Sequence, residues 1–229
     1  MMLLRPPGVY RPQSDTHLLT SALRAAAVPP GARVLELGTG AGAVAISAAR
    51  KGCEVVAVDV SPWAVLTARM NARVRRLPMR VLRGDLFAPV AGERFDVILA
   101  NPPYVPGDVD PAAARGRARA WEAGPEGRIL LDRICRAAPR HLTPSGTLLM
   151  VHSALNGVAA TLVALRREGM DASVVARHRE PFGPVMRGRA ESLAARGLLY
   201  PGQAHEDLVV IRAGHVAEGR GHERGSRAA

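Results

Sequence analysis

The chain is expected to fold as a single α/β unit. It reads as a doubly wound, mostly parallel sheet of seven strands with helices on both faces and an antiparallel last strand. Three observations carry that expectation. Apolar strand-like runs alternate with helix-like segments along nearly the whole of the 229 residues. A glycine-rich turn, GTGAG at 38–42, joins the first strand to the helix behind it. Acidic side chains stand in or at the ends of the first three strands, at Glu36, Asp59 and Asp85.

The elements follow in order. Asp15 or Thr16 can cap a first helix running to about Ala27, where VPPG stops it. RVLEL (33–37) is a short strand, and the glycine turn feeds a helix from about Ala43 to Arg50. EVVAVDV (54–60) is the second strand. Ser61 then supplies a hydroxyl cap and Pro62 a preset first helical residue, opening a helix to about Arg73. MRVLRGD (79–85) and FDVILA (95–100) are the third and fourth strands, and a long loop follows from Asn101 to about Gly124. EGRILLDRICRAAPRHL (126–142) is a helix, GTLLMVHS (146–153) the fifth strand, and 155–169 another helix. ASVVARHRE (172–180) and EDLVVIRA (206–213) are the last two strands, joined by a linker with a short Arg-rich segment. The chain thus divides into an N-terminal segment and helix (1–30), one domain (31–213), and a small, polar, charged tail (214–229) expected to be disordered.

Composition bounds the function. Hydrophobic residues make up 48% and charged ones 22%, as in globular proteins. No apolar run reaches the roughly 18 residues of a membrane span, and the N-terminus lacks the pattern of a signal peptide. Cys53 and Cys135 stand apart without metal or redox spacing, and the seven histidines show no ligand spacing, so no metal is expected. These features read as a cytoplasmic, reduced protein. The net charge of +11 suits an acidic or nucleic-acid partner. It equally reflects an arginine-rich composition, since Lys51 is the one lysine.

The glycine turn lets the backbone approach a ligand and offers N–H donors at a helix start. Alone it fits NAD, S-adenosyl-L-methionine (SAM) or close packing, and its third glycine comes one residue early for a dinucleotide fingerprint. Asp59, about 20 residues on, can accept two ribose hydroxyls. Asp85 with Leu86 can flank an adenine. A carboxylate at Glu36, inside a strand, needs a partner. Three acids facing one glycine turn point to a nucleoside-bearing cofactor, and the missing P-loop lysine argues against ATP. The fourth strand runs into VILANPPYVPG (97–107). Two prolines stop the ladder, leaving an amide, free carbonyls and a ring on a stiff loop at a strand's carboxyl end.

These residues resemble the class I, Rossmann-like SAM-dependent methyltransferases, and more narrowly the HemK-type NPPY enzymes that methylate the glutamine amide of release factors. The likeness spans roughly residues 9–212. YRPQSDTHLL (10–19) is similar to that family's N-terminal segment and sets Thr16 on a SAM-contacting position. Glu36, Gly38 and Gly40 fall in the cofactor turn, Asp59 on the ribose acid, Asp85 and Leu86 on the adenine site, and NPPY on the motif that binds the substrate amide. AWEAGPEGRILLDR (120–133) is similar to the segment after the active-site loop.

The resemblance implies SAM as cofactor and N-methylation of a planar amide, with Asn101, Pro102 and Tyr104 catalytic and Asn101 also at the cofactor. The Asn101 side-chain oxygen and the Pro102 carbonyl would each accept one N–H of the acceptor, and the Tyr104 ring would stack on its plane. With only about 30 residues before its first strand, the chain is closer to the short branch without a bacterial N-terminal helical domain. That branch implies a small zinc-binding activator subunit as a further partner. The expected substrate is a protein, such as a release factor. Methylation of an exocyclic amine of adenine or cytosine in RNA or DNA is the alternative, favoured by the charge but lacking a binding module and aromatics for base stacking. A non-catalytic binding protein is argued against by the intact motif. Trp121 and Leu131 are expected to pack in the core or under the loop, and Arg115–Arg119 to be a solvated loop.

Overall fold

The computed structural model describes residues 3–6 and 9–216, apart from the Arg117 side chain. Seven strands form one sheet: β1 (Arg33–Leu37), β2 (Glu54–Asp59), β3 (Met79–Arg83), β4 (Phe95–Ala100), β5 (Leu142–Ser153), β6 (Met170–Pro181) and β7 (His205–His215). Their order is β3-β2-β1-β4-β5-β7-β6. β7 runs antiparallel to both neighbours, and the other pairs are parallel. The helices are α1 (Ser14–Ala25), α2 (Ala43–Ala49), α3 (Pro62–Val74), α4 (Ile129–His141), α5 (Val158–Arg167) and α6 (Pro184–Ala195).

β1, β2 and β4 are continuous apolar runs because both of their faces are covered. Alternate residues feed two cores. Leu35, Ile98, Leu148 and Met150 pack with Leu131 and Ile134 of α4 and Leu165 of α5. Val34, Val55, Val97 and Leu149 pack with Leu19 and Leu23 of α1, Ala45 of α2, and Val65 and Ala68 of α3. Leu131 and Ile134 are fully buried, each gaining ~1.5–3 kcal/mol on leaving water. The order in which strands are added reverses between the parallel strands β1 and β4, which opens a crevice at their carboxyl ends where α/β sheets bind ligands.

Several boundaries differ from the sequence reading. Neither Asp15 nor Thr16 caps α1. Gln13 takes that place without a side-chain capping bond, and both residues are buried in the first turn. Ser61 does cap α3, accepting from Ala64 N at 3.4 Å. β5 begins at Leu142, ahead of a register shift that lets it pair with Phe95. Residues 154–156 form a separate 3₁₀ turn before α5. The Arg-rich linker is α6, opened by Pro184. Its Met186 and Leu193 pack with Phe182 and Leu199 in a small third cluster away from the sheet, so no sheet-facing stripe announces it. Gly214 and His215 still belong to β7, opposite Asp171 and Met170, because the edge strand β6 extends that far. Residues 217–229 of the expected tail lie outside the described residues.

Candidate active site

The crevice widens into a cavity of about 480 Å³. All ten residues singled out from the sequence line it: Thr16 from α1, Glu36, Gly38 and Gly40 from β1 and its turn, Asp59, Asp85 and Leu86 after β2 and β3, and Asn101, Pro102 and Tyr104 after β4. Gly38 and Gly40 hold φ of +69° and +54°, which side chains rarely adopt. A Cβ on Gly38 would sit 3.6 Å from the Asn101 carbonyl, in the space between turn and loop.

Asp59 accepts from Gly40 N at 2.9 Å through Oδ2 and from Ser61 N at 2.8 Å through Oδ1. Each oxygen keeps a lone pair for a further donor. Burial raises its pKa, against the pull of those N–H groups and of Arg119. Glu36 finds its partners on the α2 side, where the Thr39 hydroxyl donates to Oε2 at 2.5 Å and Ala45 N at 3.0 Å. Burial still pushes its pKa up to about 8. Asp85 is more exposed and meets Arg133 of α4 at 2.6 Å, and Leu86 beside it has φ +47°. A glycine cradle with an acid able to take hydroxyls suits a nucleoside-bearing group.

The NPPY loop is held from behind. Val105 N donates to Trp121 O at 2.9 Å and Gly107 N to Gly124 O at 3.0 Å. The buried Asn156 amide donates to Tyr104 O at 2.7 Å and to Glu126 O at 3.1 Å. Gly127 packs so closely that a Cβ there would lie 2.2 Å from Tyr104 O. Among the described residues, neither the Asn101 side chain nor the Pro102 carbonyl has a hydrogen-bond partner, and both residues line the cavity. The Tyr104 hydroxyl donates to Asp15 Oδ2 at 3.3 Å, and burial holds its pKa well above the usual value.

Sequence reasoning missed part of the wall. Asp15 also accepts from the Tyr10 hydroxyl at 2.6 Å and from Thr16 N. Glu180 and Glu206, paired across β6 and β7, line the far end, and burial raises the Glu206 pKa. Trp121 is half-buried, lines the cavity and is bonded through its carbonyl to the NPPY loop at Val105 N, whereas Leu131 is fully buried in the core. Arg119 departs from the solvated-loop expectation: it lines the cavity and donates through Nε to Ala114 O at 2.8 Å. These residues come from distant segments, and no local spacing links them.

Residues 2–117 match the methyltransferase small domain family. A relative in Methanocaldococcus jannaschii, provisionally named a protein N5-glutamine methyltransferase, is 35% identical over 181 residues, covering 79% of this chain and 90% of its own length. The chain belongs to this methyltransferase family. It is therefore a methyltransferase, and SAM is its methyl donor. A release factor glutamine methyltransferase of Geobacter sulfurreducens is 33% identical over 192 residues, and the match spans 80% of this chain but 66% of that longer protein. The fold is shared with a solved E. cuniculi Mtq2–Trm112 complex responsible for methylating the eRF1 termination factor. That likeness has a TM-score of 0.65 at 23% identity and covers 91% of this chain and 99% of the other.

Proposed function

We propose that the chain methylates the side-chain amide nitrogen of a protein glutamine, in an acceptor of the translation release factor class. The observation that carries this reading is the pair of unpartnered acceptors, Asn101 Oδ1 and Pro102 O, on a proline-stiffened cavity-lining loop beside the glycine turn. Asp59 holds the donor's ribose, Asp85 and Leu86 its adenine, and Thr16, Glu36, Gly38 and Gly40 complete its cradle. The bound sulfonium supplies an electrophilic methyl group.

An amide nitrogen is a weak nucleophile because its lone pair is delocalised into the carbonyl. Asn101 and Pro102 each accept one of its N–H groups and favour the lone pair localising on nitrogen as it becomes tetrahedral. The Tyr104 ring fixes the amide plane, and its hydroxyl, anchored on Asp15, fixes the ring. Little reorganisation remains once the amide is seated. No base is needed beforehand, since the extra proton leaves after transfer.

A small activator subunit fits the same reading, as in the named E. cuniculi complex. Trp63, Leu66, Met70 and Val74 form an exposed apolar ridge along α3, with exposed arginines at 69, 73 and 76 and no acid between residues 60 and 84. That chemistry suits a subunit that is apolar and acidic on its docking face.

The purified chain, incubated with methyl-labelled SAM and extract of its own host, is expected to label a glutamine of a release factor. Mass spectrometry identifies the site. RNase treatment should leave the label intact. Label on an adenine or cytosine amine, the acceptor that the +11 charge favours, would overturn the proposal.

A further inference from the structure

The cavity runs past the NPPY loop. In the strand order β3-β2-β1-β4-β5-β7-β6, Asp85, Asp59 and the glycine turn follow strands on one side of β4, and the β7–β6 edge lies on the other. Pro181 of β6 pairs with His205 of β7, and Leu208 pairs with Ser153 at the carboxyl end of β5. The connection between β6 and β7, which holds α6, therefore leaves the sheet at the crevice end. From this edge Glu180, Val185, Met186, Glu206 and Leu208 line the cavity.

α6 is fastened to the loop after β4 at several points. Val105, the residue after Tyr104, packs against the cluster that holds Phe182 and Met186. Arg189 donates to Pro106 O at 2.9 Å and forks onto the buried Glu122 carboxylate. Arg196 donates to Pro125 O at 2.6 Å and meets Asp108 at 3.5 Å. Val185 takes part in none of these contacts. It is half-buried on the first turn of the helix, lines the cavity and belongs to none of the three apolar clusters. An apolar side chain held at a cavity without packing into the protein is left for a ligand. Among the cavity-lining residues of β6, α6 and β7, two are acids and none is basic. That charge repels a phosphate backbone and suits a neutral or basic peptide.

We infer that the first turn of α6 is the acceptor-side wall of the active site and that Val185 is a specificity-determining residue, an apolar contact for the stretch of peptide beside the reactive amide. The role rests on the acceptor site proposed above and adds to it what selects the acceptor. Arg189 and Arg196 tie α6 to the loop that carries Asn101, so the wall and the amide acceptors form one rigid unit. The cofactor residues lie across β4, so a change at Val185 alters acceptor binding and leaves the cofactor alone.

Val185→Ala shortens the side chain at a half-buried helical position, where alanine is the best helix former. Wild type and variant are given methyl-labelled SAM and serial dilutions of extract from a host strain lacking this chain, which provides unmethylated acceptor. The amount of extract at half-maximal rate is expected to rise about tenfold, the discrimination that a lost methyl group gives in an apolar pocket, while the rate at saturation changes far less. S-adenosylhomocysteine affinity by calorimetry and the melting temperature should match wild type. A lower melting temperature with an unchanged half-saturating amount would mark a residue that only packs, and overturns the assignment. Val163→Ala, at an exposed position of α5, controls for the truncation itself and should leave the half-saturating amount unchanged. Asn101→Ala is run in parallel. If it labels as wild type does, the acceptor site proposed above has failed. If it loses labelling while Val185→Ala keeps the wild-type half-saturation, only the wall has failed. Label on nucleic acid, or on no macromolecule at all, overturns both.

Discussion

Replacing Arg189 by methionine should destabilise the protein by more than its position on a peripheral helix suggests. Arg189 of α6 donates through Nη1 to Glu122 Oε2 at 3.2 Å and to Pro106 O at 2.9 Å, and through Nη2 to Glu122 Oε1. The Glu122 side chain is 3% exposed and that of Arg189 28%. The fit is close enough that a Cβ on Gly107 would lie 2.4 Å from Arg189 Nη1. Methionine keeps the stem and removes the charge, which leaves a buried carboxylate without its cation. Breaking a buried pair from one side costs about 3–5 kcal/mol, and the partial exposure of the guanidinium lowers that to roughly 2–3 kcal/mol. At about 2–4 °C per kcal/mol for a chain of this size, the melting temperature should fall by roughly 5–10 °C. Calorimetry and urea unfolding measure it, with the midpoint moving and the slope constant. Turnover should fall as well, because the pair anchors the end of the NPPY loop, while SAM affinity holds. Adding Glu122→Gln to Arg189→Met should recover most of the loss, since the unpaired charge is gone. A single variant melting within about 1 °C of wild type, or a double variant no better than the single, would refute the reasoning.

Asn101→Ala should lower turnover about 10²–10³-fold with SAM affinity nearly intact, checked by labelled-methyl transfer and calorimetry; wild-type turnover would remove Asn101 from the chemistry. Asp59→Ala should weaken SAM binding at least about tenfold, as charge-assisted bonds contribute about 1.5–3 kcal/mol each; unchanged affinity by titration calorimetry takes Asp59 out of the cofactor site. Glu36 titrates near 8 in the fold, so the native state holds a proton that the unfolded chain releases near the usual carboxylate value. Its contribution to stability is present below pH ~4.5 and is lost as pH rises towards 8, with a slope approaching ~1.4 kcal/mol per pH unit. Glu36→Gln should flatten that slope in denaturation series from pH 5.5 to 8, and an unaltered slope would show that the burial of this acid does not govern it.

How much was legible in the residues follows from how local each signal is. Strands buried on both faces announce themselves as unbroken apolar runs, so β1, β2 and β4 could be bounded to within a residue. The Ser61–Pro62 start needed only neighbours in the chain. Most of the cavity-lining residues that the sequence pointed to sit at strand ends and in turns, where a glycine, a proline or an acid breaks the pattern, whereas Thr16, in α1, rested on the family resemblance alone. α6 was missed because its apolar residues face a small satellite cluster and its arginine meets an acid 67 residues away. Tyr10, Asp15, Arg119, Glu180 and Glu206 are unremarkable in their own segments. They become a wall only when residues 9–16, the loop after β4 and the β6–β7 edge close on one cavity. Sequence alone determined the strands of the sheet and the turns that carry backbone donors and acceptors, because periodicity, capping and fixed φ act within a few residues, while the strand order came from the fold. Tertiary structure alone decided which buried carboxylates pair, which arginine leaves the solvent, and which asparagine bonds both Leu4 and the glycine turn at Ala41, because burial and partner choice are properties of the packed chain.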